Sequence, residues 1–288
     1  MKKKLILLVG LLLILFNITG CSNDKIEGST ITTSVYPIEY LVNRLYGYNS
    51  TIQSIYPNDT KISEYTLTDK QLKSYAKSSN LFIYNGLSNE KEIAKTLINK
   101  NKNMQIIDVS YGLKYAYGIE ELWLNPNNYL MLASTINDNL KELSSSKYTA
   151  ETLDKNYKEL EEDLATLDAK LRNIGKSAKE SNKNTIVVAY NSLAYLSDYD
   201  FDVINISEES NITNSIKNKF KDKTYKYILV QDKKNVSDSV KDLIDNYNAE
   251  LIEVNTMETL TESERKNNDN YLTIMNDFIN TLSNIVLE

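Results

Sequence analysis

Hydrophobic and polar positions in the first half of the chain form short apolar runs that alternate with amphipathic stretches. The runs are rich in β-branched and aromatic residues and predict strands at 30–36, 51–56, 81–84 and 105–109. Apolar residues three and four apart predict helices after the first three strands and again over 129–143. Thr68 is placed to cap the second of these helices. Such alternation indicates a parallel sheet with helices on both faces.

A different pattern follows in the middle of the chain. Apolar residues recur at alternating spacings of four and three, at Leu153, Tyr157, Leu160, Leu164, Leu167, Leu171 and Ile174. This predicts one amphipathic helix from about 149 to 179, ~45 Å long at about 1.5 Å per residue. Its apolar stripe could lie across the chain's own lobes or pair with a second copy in a coiled coil. We expect the first arrangement, in a monomer.

The alternation then resumes, with strands predicted at 185–189, 201–206, 227–230 and 251–254 and a closing helix over 271–286. The predicted fold class is α/β: two lobes, each a mainly parallel sheet flanked by helices, bridged by one long helix. The N-terminal lobe spans 30–147, the linker helix 148–183 and the C-terminal lobe 184–288. Ligands of parallel sheets bind beyond the carboxyl ends of the strands, so the cleft between the lobes is the expected binding site.

The first twenty residues resemble a bacterial lipoprotein signal peptide. Lys2 to Lys4 form a basic segment, Leu5 to Phe16 are almost all apolar, and Gly20 precedes Cys21. The resemblance implies cleavage after residue 20, lipidation of Cys21, and a polar tether over 21–29. The competing interpretation is a transmembrane anchor, but the apolar run is shorter than the ~20 residues that a spanning helix needs. We therefore expect a protein anchored by lipid to the extracytoplasmic face of the bacterial cell membrane.

The amino-acid composition excludes several classes of function. The chain has 288 residues with no His and one Cys, so neither Ser-His-Asp nor Cys-His catalysis is available, and no imidazole can bind a metal. Its net charge of −6 argues against a nucleic-acid partner, because such surfaces need an excess of basic residues. No glycine-rich phosphate loop occurs, and carboxylates such as Glu120 and Glu121 are of a kind that usually lies on solvated surface. We expect no enzymatic activity.

Several segments carry a resemblance to a known family. Residues 122–126 read Leu-Trp-Leu-Asn-Pro, and the other segments are 32–38, 56–65, 157–171, 190–196 and 251–255. In order and spacing they resemble the zinc- and manganese-binding lipoproteins of ABC importers, across essentially the whole mature chain. The resemblance implies two α/β lobes joined by a rigid helix, as in cluster A-I solute-binding proteins. It also implies a divalent metal ion as ligand and an ABC permease as partner.

The residues at the family's metal-binding positions depart from its pattern. The cleft positions that match the metal ligands hold Ser63, Glu121, Tyr190 and Asn255, with Asn191, Gln231 and Asp232 as alternates. Zinc favours imidazole and thiolate ligands, and this set offers neither. Hard cations accept oxygen ligands, but one carboxylate with neutral oxygens is a weak cage. No metal site is therefore assigned, and hydrogen bonding to an organic solute or a hydrated cation is an alternative use of the cleft.

Two functions remain open on the sequence. The first is a lipid-anchored solute-binding protein, related to the receptors of metal ion transport, whose diverged cleft does not bind zinc in the usual way. The alternative is a surface interaction lipoprotein, similar to the relatives called adhesins, that has lost ligand transport. An adjacent permease gene would favour the first function.

Overall fold

The computed structural model describes residues 26–287, which contain eight strands in two parallel four-stranded sheets. The predicted signal peptide and Cys21 lie outside the described residues. In the first lobe the elements are β1 (Thr30–Thr33), α1 (Tyr36–Tyr46), β2 (Thr51–Ser54), α2 (Asp69–Ser78), β3 (Leu81–Tyr84), α3 (Glu90–Lys100) and β4 (Gln105–Asp108). Three helices follow: α4 (Glu121–Leu124), α5 (Pro126–Leu143) and the connecting helix α6 (Lys147–Glu180).

The second lobe repeats the scheme of the first. Its elements are β5 (Thr185–Val188), β6 (Asp202–Asn205), α7 (Asn214–Lys221), β7 (Tyr227–Val230), α8 (Asp238–Tyr247), β8 (Glu250–Glu253), α9 (Glu262–Asn267) and α10 (Tyr271–Leu287). Short 3₁₀-helices lie at Ile62–Glu64, Asn191–Tyr199 and Glu209–Asn211. The strand orders, β2-β1-β3-β4 and β6-β5-β7-β8, are equivalent, and every pair is parallel. The predicted α/β fold class is confirmed.

Local sequence accounts for several element boundaries. Thr68 caps α2 as predicted: its hydroxyl accepts the backbone N–H of Gln71, whose side chain accepts the N–H of Thr68 in return. The first strand ends at Thr33, before the end of the predicted strand 30–36, because Pro37 stands in the first turn of α1. Helix α9 was not predicted, since a six-residue polar helix has no apolar periodicity.

The connecting helix α6 has 34 residues and is therefore ~51 Å long. Ser146 caps its start by accepting the N–H of Thr149. Five leucines of the predicted stripe are buried, namely Leu153, Leu160, Leu164, Leu167 and Leu171. Helices α1, α5 and α10 of the same chain pack against α6. The stripe is thus covered within one chain and is not free to form a coiled coil with a second copy.

Close packing extends from α6 to the second lobe. Gly175 lies directly against the 3₁₀ segment, since a Cβ placed there would stand 1.7 Å from the carbonyl oxygen of Tyr199. The closing helix α10 returns to the first lobe, where the ring of Tyr271 stacks on that of Tyr129 at 4.0 Å. The Tyr271 hydroxyl donates to the carbonyl of Trp123 at 2.6 Å. The two lobes therefore share one framework, which fixes the loops at their facing edges.

Candidate functional site

The loops that follow the strands of both sheets meet between the lobes. The backbone N–H of Tyr36, after β1, donates to the carbonyl of Glu258, after β8, at 2.9 Å. The indole N–H of Trp123, after β4, donates to the carbonyl of Thr256 at 2.8 Å. The carboxyl ends of the two sheets thus enclose the cleft that the strand order predicts.

Of the predicted site residues, Ser63 lies on the first-lobe side of this cleft. It is exposed in the 3₁₀-helix Ile62–Glu64 and lines a pocket that extends beneath that turn. The residue two positions earlier, Lys61, reaches across to the second lobe. Its ammonium group contacts a carboxylate oxygen of Asp232, which follows β7, at 2.9 Å. The Lys61 ammonium lowers the pKa of Asp232 by a hydrogen bond.

Glu121 is buried and its carboxylate is already used within the first lobe. One oxygen accepts the backbone N–H groups of Ala116 at 2.9 Å and Tyr117 at 3.0 Å. The other accepts the side-chain amide of Asn128 at 3.3 Å. The carboxylate therefore holds the loop that leads into α4, and its lone pairs are directed at that loop.

We expect Glu121→Ala to lower the free energy of unfolding by about 2 kcal/mol, because two backbone N–H groups lose a charged acceptor. Urea denaturation followed by circular dichroism measures this change. Glu121→Gln is the matched control, since its amide oxygen can still accept these N–H groups and should restore at least half of the loss. Equal stability of the alanine variant and the parent would show that the loop does not depend on this carboxylate.

The remaining predicted residues are also bonded within the chain. The amide of Asn191 donates to the carbonyl of Tyr117 and accepts from Asn205 at 2.7 Å. The amide of Asn255 donates to Glu264 at 2.6 Å, and its oxygen accepts the N–H of Met257 at 2.8 Å. These hydrogen bonds leave few free donors or acceptors on the side chains of Asn191 and Asn255 for a ligand.

Tyr190 and Gln231 face a set of carboxylates between the lobes. Burial, and next the charge of Glu120, raise the pKa of Tyr190 far above its usual value. The side chain of Gln231 donates to Glu258 at 3.5 Å. Glu120 in turn accepts the hydroxyl proton of Ser192 at 2.5 Å. Burial, together with the neighbouring Glu120, raises the pKa of Glu258. The structure thus brings Tyr190 and Gln231 together, beside carboxylates from both lobes.

Sequence reasoning did not assign Glu90, Glu120 or Glu258 to the site. The sequence predicts a solvated surface position for Glu120, whereas its side chain is half-buried against Ser192. Glu90 is the first residue of α3 and is 2% exposed. Their positions in the sequence could have indicated a place at the cleft, because each residue lies in or just after a loop that follows the carboxyl end of a strand.

The arrangement offers oxygen atoms and no nitrogen or sulfur ligand for zinc. Among residues 26–287, no group of three or more His, Cys, Asp or Glu residues is placed to hold a metal ion. The donor set therefore does not fit tetrahedral zinc coordination.

Comparison with known proteins identifies the family. The sequence profile of the family described as zinc-uptake complex component A, periplasmic, matches residues 31–285. The chain belongs to this zinc-uptake component A family. As a member of this family, the chain is a substrate-binding protein rather than an enzyme. The periplasmic description of the family agrees with the predicted extracytoplasmic location. No curated protein sequence matches the chain.

Solved structures of family relatives share the fold. The zinc-bound ZnuA-like domain of AdcA from Streptococcus pneumoniae is 20% identical, with a TM-score of 0.72 over 91% of this chain and 100% of that one. The metal-dependent lipoprotein YcdH from Bacillus subtilis is 19% identical, with a TM-score of 0.74 over 90% and 100%. The periplasmic zinc-binding protein TroA from Treponema pallidum is 14% identical, with a TM-score of 0.69 over 90% and 99%. At these identities the likeness establishes the fold alone.

Within the described residues of this zinc-uptake component A protein, no helix is both long and apolar enough to cross a membrane.

Proposed function

We propose that this protein is a lipid-anchored, extracytoplasmic solute-binding protein that delivers its substrate to an ABC permease, and that its cleft has lost histidine-based zinc binding. The observation that carries the proposal is the state of the family's ligand positions. Glu121, Asn191 and Asn255 are each bonded to other groups of the chain. Such side chains would have to give up existing hydrogen bonds before they could bind a metal ion.

The contact between Lys61 and Asp232 supports the same proposal. It joins the loop that carries Ser63 to the loop after β7, so a lysine ammonium lies between two loops that match the family's ligand loops. The Lys61 ammonium occupies an oxygen of Asp232, an alternate ligand position, so a metal ion would have to displace it there. The exposure of both side chains, 59% and 27%, means that the contact is screened by solvent.

Other contacts favour a receptor in which the lobes move little. The guanidinium of Arg265, in α9, forms two parallel bonds of 2.6 Å to Glu39, in α1. The hydrogen bond with Glu39 raises the pKa of Arg265 further. We therefore propose small adjustments of the loops, rather than a wide opening of the lobes, when the substrate binds.

The test of zinc binding is elemental analysis of the purified mature lipoprotein, followed by thermal denaturation with zinc, manganese, calcium or magnesium. A ligand that binds only the folded state must raise the melting temperature. We expect no zinc to copurify, and zinc at about 100 µM to shift the melting temperature by less than about 1 °C.

Protein stripped with a chelator is the control for metal acquired during purification. One equivalent of zinc, retained after dialysis and accompanied by a large thermal shift, would contradict the loss of the zinc site. Absence of every metal and every solute would instead favour the surface interaction protein.

Cys21→Ala tests the lipid anchor. We expect the variant to appear in the soluble extracytoplasmic fraction, because it lacks the thiol that would carry the diacylglycerol, while the parent stays with the membrane. Fractionation followed by immunoblotting measures the distribution. Ser22→Ala, in the adjacent polar tether, is the control and should remain membrane-bound. Membrane retention of Cys21→Ala would favour an uncleaved transmembrane anchor.

We also propose the domain limits given by the sequence, with a tether over 21–29 between the lipid and the first lobe. The buried stripe of α6 supports a monomer, since the same chain covers it.

A further inference from the structure

A pocket of about 470 Å³ lies in the first lobe, beside the cleft between the lobes. It is formed by the loop after β2 and by the first turns of α3. Its size is within the range of sites that bind small organic molecules. Ser63 and Glu92, both exposed, line it where it meets solvent.

The inner wall of this pocket carries a buried carboxylate without a counter-ion. Glu90 is 2% exposed, and one of its oxygens accepts the backbone N–H of Asn85 at 3.0 Å. Within residues 26–287, no Lys or Arg forms an ion pair with Glu90. None of the residues that line the pocket is basic, and Glu92 adds a second carboxylate. A buried, unpaired carboxylate is costly, and a cation bound beside it would offset that cost.

The remaining walls suit the organic part of such a cation. The rings of Tyr56 and Tyr65 meet edge to face, with centroids 6.0 Å apart, and both line the pocket. Leu67, Leu72 and Ile93 complete an apolar wall. Aromatic rings attract ammonium groups through the negative charge at their faces, and aliphatic side chains bury hydrocarbon.

A bare divalent cation fits this pocket less well. Calcium takes about six to eight oxygen ligands, and magnesium demands a near-octahedral set. Much of the wall here is apolar, and Glu92 is exposed. An organic ammonium compound, by contrast, needs one carboxylate and an apolar surround.

We propose that this pocket binds a small organic ammonium compound, with Glu90 as the counter-ion of its charged nitrogen and Tyr56 and Tyr65 in contact with its organic part. This deepens the proposed function and rests on it for delivery to a permease. Binding itself is a property of the protein and can be measured apart from transport.

The test is isothermal titration of the mature lipoprotein, in detergent, with choline and with n-butylammonium. Each probe has a neutral partner of nearly the same shape: the carbon analogue of choline, and butanol. We expect saturable binding of at least one ammonium probe and about ten-fold or weaker affinity for its neutral partner, the factor that corresponds to about 1.4 kcal/mol.

Glu90→Gln separates charge from shape, because it keeps the side chain's size and an acceptor for Asn85. We expect it to weaken ammonium binding about ten-fold or more. Glu92→Gln is the matched control, since the exposed Glu92 is well solvated and its loss should change affinity less than about three-fold. Melting temperatures of both variants verify that they are folded.

Three results would overturn the inference: no saturable binding of either ammonium probe, equal affinity for a probe and its neutral partner, or unchanged affinity in Glu90→Gln. Transport is tested separately from binding, by measuring uptake of the probe in cells. If the protein binds an ammonium probe through Glu90 but deletion of its gene leaves uptake of that probe unchanged, the site stands and the proposed delivery role fails. If deletion of the gene lowers uptake of a probe that the purified protein binds with unchanged affinity in Glu90→Gln, the delivery role stands and the pocket assignment fails.

Discussion

Leu164→Asp should lower the free energy of unfolding by about 5 kcal/mol or more, the largest effect that we expect from a single substitution in this chain. Leu164 is 1% exposed, in the middle of α6. The change removes its packing and leaves a carboxylate in an apolar environment. Since domains are stable by only about 5–15 kcal/mol, much of the protein should be unfolded at 37 °C.

Two further variants make the test specific. Leu164→Ala removes the packing without adding a charge, and should cost about 3 kcal/mol. Ala165→Asp places the same charge on the exposed side of the helix, where lower helix propensity and neighbouring carboxylates should cost only about 1 kcal/mol. Thermal and urea denaturation, followed by circular dichroism, measure the stability of the three variants. If Leu164→Asp were as stable as Ala165→Asp, the stripe would not be buried in solution.

Most of the fold could be predicted because its signals are local. The spacing of Leu153 to Ile174 depends only on the helical repeat, and it predicted α6 from 149 to 179 against the observed 147–180. The strands were predicted from β-branched runs, and their parallel order from the helices between them. Helix α9 was not predicted because its six polar residues have no apolar periodicity, although Thr261 and Glu264 form a local capping box at its start. The 3₁₀ geometry of Asn191–Tyr199 was not predicted either.

The residues of the site were harder to predict from the sequence than the fold. Matching to the family's motifs located the loops, so Ser63, Tyr190 and Gln231 were placed at the cleft. It could not show that the carboxylate of Glu121 is occupied by two backbone N–H groups, since those bonds depend on the path of the preceding loop. A glutamate is normally a surface residue, and nothing in the local sequence of Glu90 signals that it is buried.

The proposed divergence of the cleft involves more than the positions that match the family's ligands. Beside the matched positions, Lys61 reaches from one lobe to the other, and the half-buried Glu120 and Glu258 lie near Tyr190 and Gln231. At the matched positions, the side chains of Glu121, Asn191 and Asn255 each bond to another group of the chain. Because these groups already have partners within the chain, they support the proposed loss of zinc binding.

Glu90→Gln should raise the free energy of unfolding by roughly 3 kcal/mol at about pH 8 and by almost nothing at about pH 4. Burial, which is the largest cause, raises the pKa of Glu90 from 4.5 to about 7. Folded Glu90 therefore keeps its proton to a higher pH than the unfolded chain does. The folded state is favoured fully below the unfolded pKa, and this advantage is lost as the pH rises through the folded pKa.

Urea denaturation of the parent and the variant across this pH range measures the difference directly. The parent should lose stability relative to Glu90→Gln between about pH 4.5 and 7, with a plateau above. Glu258 has a pKa raised in the same direction, chiefly by burial and in part by the charge of Glu90, so the difference between the two curves reports on Glu90 together with its effect on Glu258. Glu92→Gln is the control and should follow the parent. A substitution that stabilises the fold while abolishing ammonium binding would identify Glu90 as a residue kept for function at the expense of stability. A pH-independent difference would show instead that the pKa of Glu90 is the same in the folded and the unfolded protein, so that burial does not raise it.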